Sequence, residues 1–476
     1  MVEVHNNTNQ GRPRVLDGTV LRETLQAVLP RKVVEEQSRE LGVIERVRKC
    51  EVYPLITSLV LSSGSDDSGR LADAYRRYKR EASQAVVRGG FYYWMDDETA
   101  DLLERLLDLA IDYAASQPVY LPGRLSGVED WISVDSETIT LRPALAEDYP
   151  ATSTDAGIKV HKELSLGRGC MVGYELSPAR EHDSIHLKVD ERYRGKGLLV
   201  DLGYPSLKFI NDCDAHDVKY VIRLKDNWKP KIQRVVRGEH GVEVLPGTDL
   251  DDALNDYSLI LDGRCIDADV VLGQGEGSVA TRMVAISLPA NENGEIPYLF
   301  FLTNLSRRTH GPNQIAELYR VRWEIECDNK LDKSGSRLDQ IRATKKSSVR
   351  ILLYSALLHS LIVDLIVHHD ILDRVQRNEG PQAPLHRLLV AHALRAEHVA
   401  LLIALLDAST PQSRWDRIAA SIDDDGRDPN WRRRPSVLDK LLGQTAPPGR
   451  PRRKKLRQCS ASAAPYRRTT QPAVSL

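Results

Sequence analysis

The pattern of apolar and polar positions divides the chain into a helical part, a strand-rich part and a second helical part. From about Asp17 to Ala115 apolar residues recur at helical spacing: Val33, Val34, Leu41 and Ile44 fall into register, Gly42 suits a helix end, and residues 102–113 read as an amphipathic helix. Residues 31–49 have the outline of helix, glycine-containing turn and helix, followed by the basic cluster Arg46, Arg48 and Lys49. A helix-turn-helix and a helical hairpin with a basic face both fit that outline. From Val128 the period changes. Residues 131–141, 158–164 and 170–176 predict three successive strands, rich in Val, Ile, Thr and Tyr. Residues 197–200 form a short apolar run that ends at Asp201. A helix at 206–216 and a strand at 220–224 follow, and strand, helix, strand at this spacing predicts parallel pairing through a crossover. Residues 257–261 and 279–288 continue the β pattern, and the strand 296–302 returns to the first region. Pro312 suits the first turn of a helix predicted to reach about Lys333, and helices continue to about Leu406.

Composition adds little until it is divided along the chain. With 476 residues, 41% hydrophobic and 28% charged, two to four globular units are expected. The six cysteines are scattered and form no CxxC pair, which argues against a disulfide scaffold or a zinc ribbon and fits a reducing cytosol. The first residues contain no apolar stretch of signal-peptide type. The apolar run 351–367 includes His359 and Asp364 and is too short to span a bilayer, so a buried core helix is expected and no membrane partner. Net charge is −1, which speaks against a uniformly basic nucleic-acid binder. That total hides a split. Residues 239–295 hold 12 acidic residues against Arg264 and Arg282, and residues 427–476 hold 13 Lys/Arg against 2 Asp/Glu. The stretch 447–468 reads as a basic, disordered tail.

The candidate chemistry centres on LYRVRWEIECDNKLDKS, residues 318–334. Tyr319, Arg322, Glu326, Lys330 and Lys333 are spaced by 3, 4, 4 and 3, which on a 3.6-residue period puts them along a single stripe. A surface row of ion pairs gives the same pattern. A carboxylate that binds a divalent metal among cations that hold phosphates is, however, what phosphoryl transfer on DNA requires. Further carboxylates would have to come from elsewhere. Asp135 lies inside the strand 131–141, and Asp201 ends the run 197–200. A buried strand is a costly place for a charge unless a metal or partner neutralises it. An edge-strand position for Asp135 and a helix-cap role for Asp201 are the alternatives. Trp323 reads as a core aromatic, and His368-His369-Asp370 as a solvated helix end.

Tyr319, Arg322, Glu326 and Lys333 also match the spacing of the YREK signature, and the segment resembles that of insertion-sequence DDE transposases of the cut-and-paste type. IKVHKEL (158–164), HDS (182–184), LLVDLGY (198–204) and FINDCDAHDVKYVIRLKDN (209–227) resemble the same family in the expected order. The resemblance covers roughly residues 126–370. It implies an α/β fold with a ribonuclease-H-like mixed sheet flanked by helices, a β-rich insertion, and helical N- and C-terminal regions. The expected organisation is a helical DNA-binding region at 1–125, a catalytic core at 126–227 and 298–370, an acidic insertion at 228–297, a helical region at 371–445 and a basic tail at 446–476. By the resemblance, Asp135, Asp201 and Glu326 form the catalytic, metal-binding triad, and Tyr319, Arg322 and Lys333 contact the DNA backbone, with Lys330 a further phosphate contact. Two Mg²⁺ ions are implied, with Mn²⁺ able to substitute. The partners implied are transposon ends and target DNA, met by a homodimer in a synaptic complex in a prokaryotic, nucleoid-associated setting. One departure stands out: where the family often has Asp-Gly-Thr, this chain has Asp135-Ser136-Glu137-Thr138, so Glu137 and Asp130 remain alternatives for the first aspartate. A decayed transposase that only binds DNA, and a metal-dependent nuclease without strand transfer, are the other functions consistent with these residues.

Overall fold

The computed structural model describes residues 16–43, 51–63, 70–84, 86–237, 244–255, 265–289, 297–377 and 383–431. The basic half of the helix-turn-helix outline, the β-patterned segment 257–261 and the basic tail lie outside these residues.

Six helices come first: α1 (Gly18–Val28), α2 (Arg31–Glu40), α3 (Val52–Leu61), α4 (Arg70–Glu81), α5 (Arg88–Tyr93) and α6 (Asp97–Ser116). Two of them start where the sequence supplies an N-cap. Asp17 accepts from the Val20 amide at 2.8 Å and Asp96 from the Thr99 amide at 2.9 Å, each satisfying a donor that has no partner within its helix. The sheet follows: β1 (Trp131–Thr140), β2 (Gly157–Ser165), β3 (Cys170–Pro178), β4 (Gly197–Val200), then α7 (Leu207–Ala215) and β5 (Lys219–Arg223). Next come β6 (Lys231–Arg237), β7 (Thr248–Asp249), α8 (Leu250–Asn255), β8 (Ile266–Leu272), β9 (Val279–Ser287) and β10 (Tyr298–Thr303).

The ten strands among the described residues form one sheet in the order β3-β2-β1-β4-β5-β10-β9-β8-β6-β7. β1, β2 and β3 pair antiparallel, while β4 lies parallel to β1 and β5 parallel to β4. That half is the ribonuclease-H-like arrangement expected from the sequence. β1 is therefore an interior strand, not an edge. Among its described residues, the segment 228–297 extends the same sheet antiparallel beyond β10.

Side-chain alternation gives the two faces of the sheet different partners. Ile132, Val134, Leu198, Val200, Tyr220 and Ile222 pack with Phe209, Ile210 and Cys213 of α7. Trp131, Leu199, Val221 and Phe301 pack on the other side, with Ile315, Leu318, Val321 and Ile325. Each such side chain, fully buried, contributes about 1.5–3 kcal/mol. β4 is apolar throughout because both of its faces are covered. Its first residue has to be glycine: a Cβ on Gly197 would stand 2.3 Å from the ring of Trp131, its cross-strand partner.

The second face carries α9 (Pro312–Arg320) and α10 (Trp323–Ser334). The sequence predicts one helix here, and the structure breaks it at Val321–Arg322. Around the break the amides of Val321, Arg322, Glu324 and Ile325 bond to the third residue back, the tighter 3₁₀ pattern. Four helices close the described chain: α11 (Lys346–Arg377), α12 (Arg387–Ala396), α13 (His398–Leu406) and α14 (Gln412–Gly426). At 32 residues α11 outruns its apolar segment, and its length and composition would suffice to cross a membrane. The most apolar stretch is nevertheless 94% buried inside the protein, which is what the core of a folded domain requires of it. It packs with α1, α3, α6 and α12, so Leu25, Leu106, Leu357 and Trp415 share one core drawn from both ends of the chain. His368 and Asp370 are not a solvated helix end. Both are buried within α11, where His368 Nε2 meets the Pro118 carbonyl at 3.0 Å and Asp370 pairs with Arg427 at 2.9 Å.

Candidate active site

Strand register brings the first two carboxylates together. In the parallel pair β1–β4, Val134 lies opposite Val200, so the next residues stand at the same level: Asp135 within β1, and Asp201 just past the end of β4. They continue the parity of Trp131 and Leu199, whose side chains face the α9–α10 side. This is also the C-terminal end of the parallel strands, the end at which open α/β sheets bind ligands. The third carboxylate arrives from above, on the first turns of α10.

Arg322 contacts two of the three and acts on the other, Asp135, through its charge. As the N-cap residue of α10 it is 8% exposed, and its Nη2 lies 2.5 Å from Oε1 of Glu326 and its Nη1 3.8 Å from Oδ1 of Asp201. Asp135 is half-buried and accepts from its own neighbour's amide, Ser136, at 2.9 Å and from Asn329 Nδ2 of α10 at 3.1 Å. Burial pushes the Asp135 carboxyl up to about 6; Arg322 pulls it down, and the charges of Asp201 and Glu326 push it further up. The Arg322 guanidinium is held more firmly protonated, since Tyr319 and the carboxylates of Asp201, Asp135 and Glu326 outweigh its burial. Among the described residues no three His, Cys, Asp or Glu side chains are close enough to hold one metal ion. The guanidinium stands among the three carboxylates.

The break in the helix redistributes the predicted stripe. Tyr319 ends up on α9, buried, its ring 5.2 Å from that of Phe301 and beneath the Arg322 guanidinium; burial pushes its hydroxyl up to about 12. Lys330 is exposed, with its ammonium 4.2 Å from the ring of Trp323, which is half-buried. Lys333 is partly exposed and pairs with Glu137 at 3.1 Å. Glu137 itself is buried and pushed up to about 7 by burial and by Asp332, against Lys162 and Lys333. Asp130, the other alternative for the first aspartate, is held in a separate cage by Ser165 Oγ at 2.6 Å, the Gly167 amide at 3.1 Å and Arg168 at 2.5 Å. It stands away from the other two carboxylates as a local structural anchor.

The remaining sequence blocks close around Asp135. Asp183 of HDS accepts from Ser136 Oγ at 3.0 Å and from Lys159 Nζ at 2.9 Å. His161 of IKVHKEL bonds Tyr204 at 3.0 Å and Ser177 at 2.9 Å. Lys225, after β5, feels the charge of Asp201. Three residues of α10 were not singled out by sequence reasoning: Asn329, which reaches Asp135, and Asp328 and Asp332, which grip Lys162 at 2.6 and 2.5 Å. Their i, i+4 spacing was visible, but the buried cation between them was not.

Comparison with known proteins shows what the chain around this site is similar to. Residues 127–362 match the model of the transposase DDE domain. The transposase for insertion sequence element IS231F of Bacillus thuringiensis subsp. israelensis is 22% identical over 374 residues, 71% of this chain and 77% of that protein. The transposase for insertion sequence element IS1151 of Clostridium perfringens is 22% identical over 267 residues, 49% of this chain and 56% of that one. A solved structure, the piggyBac transposase synaptic complex with hairpin DNA, overlays with a TM-score of 0.44 at 12% identity, covering 88% of this chain and 90% of that one. Residues 127–362, just under half of the chain, are thus similar to the DDE domain of transposases, enzymes that act on DNA by phosphoryl transfer.

Proposed function

We propose that this protein binds the terminal inverted repeats of a DNA element and catalyses cut-and-paste transposition, with Asp135, Asp201 and Glu326 as its catalytic carboxylates. The observation that carries this reading is their convergence on one guanidinium at the C-terminal end of the parallel strands. Three carboxylates are hard oxygen donors, the set that suits Mg²⁺, with Mn²⁺ as a substitute. A pair of such ions, when bound, supplies an activated water and charge stabilisation for the leaving oxygen.

The protein's own residues do the positioning. Asn329 and the Ser136 amide orient Asp135 by donating to it. Arg322 neutralises the carboxylates in the absence of cations, and with cations held by Asp135, Asp201 and Glu326 its guanidinium would be available to a DNA phosphate. Its guanidinium is supported by the ring of Tyr319. Lys330 and Lys333 lie about one and two turns beyond Glu326 on α10, both reaching solvent, as phosphate contacts require. The helical N-terminal region would hold the repeat, a homodimer would pair the two ends, and the setting would be the prokaryotic cytoplasm.

The test is an incubation of purified protein with DNA carrying the element's ends, a target plasmid and Mg²⁺. Cleaved ends and joined products are expected. Cleavage without joining would leave a nuclease, and end binding without cleavage a DNA-binding protein only.

A further inference from the structure

Lys162 is buried at 2% exposure on β2, with Asp328 and Asp332 buried about it at 2% and 1%. Its ammonium lies 2.6 Å from one carboxylate and 2.5 Å from the other. Asp328 and Asp332 are four residues apart on α10 and so project from one face of the helix. Behind them Asp364 of α11 pairs with Arg387 of α12 at 3.1 Å, so the charges run from the sheet through α10 to the helical layer. Buried ion clusters of this kind add little stability; well-packed apolar residues often do as well or better. What such a cluster supplies is a unique geometry.

That geometry is tied to the active site by two observations. Lys162 is the direct cross-strand partner of Asp135 in the β1–β2 ladder, so the two side chains rise from the same face of the sheet. Asn329, beside Asp328 on α10, donates to Asp135. One short stretch of α10 is thus fastened both to Asp135 and to the residue opposite it, and Glu326 sits within a turn of that stretch. A shift of α10 by one residue, about 1.5 Å along its axis and about 100° around it, would break every one of these contacts. The break at Val321–Arg322 frees α10 from the course of α9, so its register has to be set from elsewhere.

We propose that Lys162, Asp328 and Asp332 form a register lock, positioning residues that fix Glu326 against Asp135 while touching neither DNA nor the reacting atoms. This rests on the reading of Asp135 and Glu326 as metal-binding carboxylates. The experiment compares the full-length protein with Lys162→Met/Asp328→Asn/Asp332→Asn, which removes the cation and both anions together and leaves the buried Glu137 paired with Lys333 and Arg387 with Asp364. Glu326→Gln is run in parallel. Readouts are the melting midpoint, the Kd for end DNA, Mn²⁺ binding by calorimetry without DNA, and the single-turnover cleavage rate. The lock predicts a cooperative melt and an unchanged DNA Kd, with Mn²⁺ affinity and cleavage each down about 10- to 100-fold. Mn²⁺ affinity and cleavage equal to the unaltered protein, while Glu326→Gln abolishes both, overturn the lock alone. A Glu326→Gln variant that still binds Mn²⁺ and cleaves overturns the reading of the site, and the lock with it. If the triple variant fails to fold, Asp332→Asn, which leaves Lys162 paired with Asp328, decides. A several-fold loss of Mn²⁺ affinity at constant DNA Kd supports the lock, and no loss overturns it.

Discussion

Arg322 Nη2 lies 2.5 Å from Glu326 Oε1, at the point where α9 gives way to α10. An i, i+4 pair on an exposed helix contributes about 0.3–0.5 kcal/mol and little else. Here the cation is 8% exposed, and its other nitrogen lies 3.8 Å from Asp201. The pair joins the helix that carries one proposed catalytic carboxylate to the strand end that carries another.

Cleavage should depend on pH through Asp135. Its carboxyl is pushed up to about 6 by burial first, with Arg322 opposing and Asp201 and Glu326 reinforcing. The carboxylate is the form that binds a cation, so the single-turnover rate should fall as pH drops through about 6 at low Mg²⁺. The inflection should move lower as Mg²⁺ is raised, because metal competes with the proton. A rate that stays flat well below 6 would remove Asp135 from the chemistry.

The same shift has a cost in stability. The folded protein binds this proton more tightly than an unfolded chain with the ordinary value of 3.8. The site therefore loses stability as pH rises from 3.8 to about 6, and the penalty is complete above that. Asp135→Asn should thus melt higher than the unaltered protein at neutral pH, by about 1–2 kcal/mol, and show no gain near pH 3.8. Thermal melts at both pH values measure this directly.

Lys333 has two roles that mutation can separate. It pairs with the buried Glu137 at 3.1 Å, and its own side chain is 47% exposed. Lys333→Ala should lower DNA affinity about equally for all sequences, reduce the salt slope of binding by about 1, and lower the melting midpoint. Adding Glu137→Gln should restore the melt and leave the binding defect in place. Restored binding in the double variant would show that Lys333 acts only through Glu137.

Gly197→Ala tests the sheet beneath the site. The new Cβ would meet the Trp131 ring at 2.3 Å, so either β4 or the tryptophan has to move. Overpacking of this kind costs about 1–3 kcal/mol. A lower urea midpoint is expected, with loss of cleavage because β4 delivers Asp201. An unchanged midpoint would mean that the ring yields without cost.

Much of this was legible in the sequence because it is written in local pattern. The alternation that predicts strands at 131–141, 158–164, 170–176 and 279–288 corresponds to β1, β2, β3 and β9 within a residue or two. The run 197–200 is β4 itself, and Ser206 caps α7 by accepting from Phe209 at 3.0 Å. The break between α9 and α10 was not legible. No Pro or Gly marks it, and Arg322 is held there by side chains distant in sequence, such as Asp201. Likewise Lys162 reads as an ordinary polar position in a strand, since its partners lie 166 and 170 residues away. His368 and Asp370 look solvated for the same reason: Pro118 and Arg427, which satisfy them, come from other parts of the chain.

The central claim, that Asp135, Asp201 and Glu326 act together as the catalytic carboxylates, is tested most directly by Glu326→Gln. The measurement is single-turnover cleavage of end-labelled element DNA in Mg²⁺, with the Kd for the same DNA determined alongside. The account predicts cleavage reduced to background and a Kd within about twofold of the unaltered protein, since the substitution removes a charge and keeps the shape. Cleavage at the unaltered rate, or binding and cleavage lost in equal measure, would contradict it.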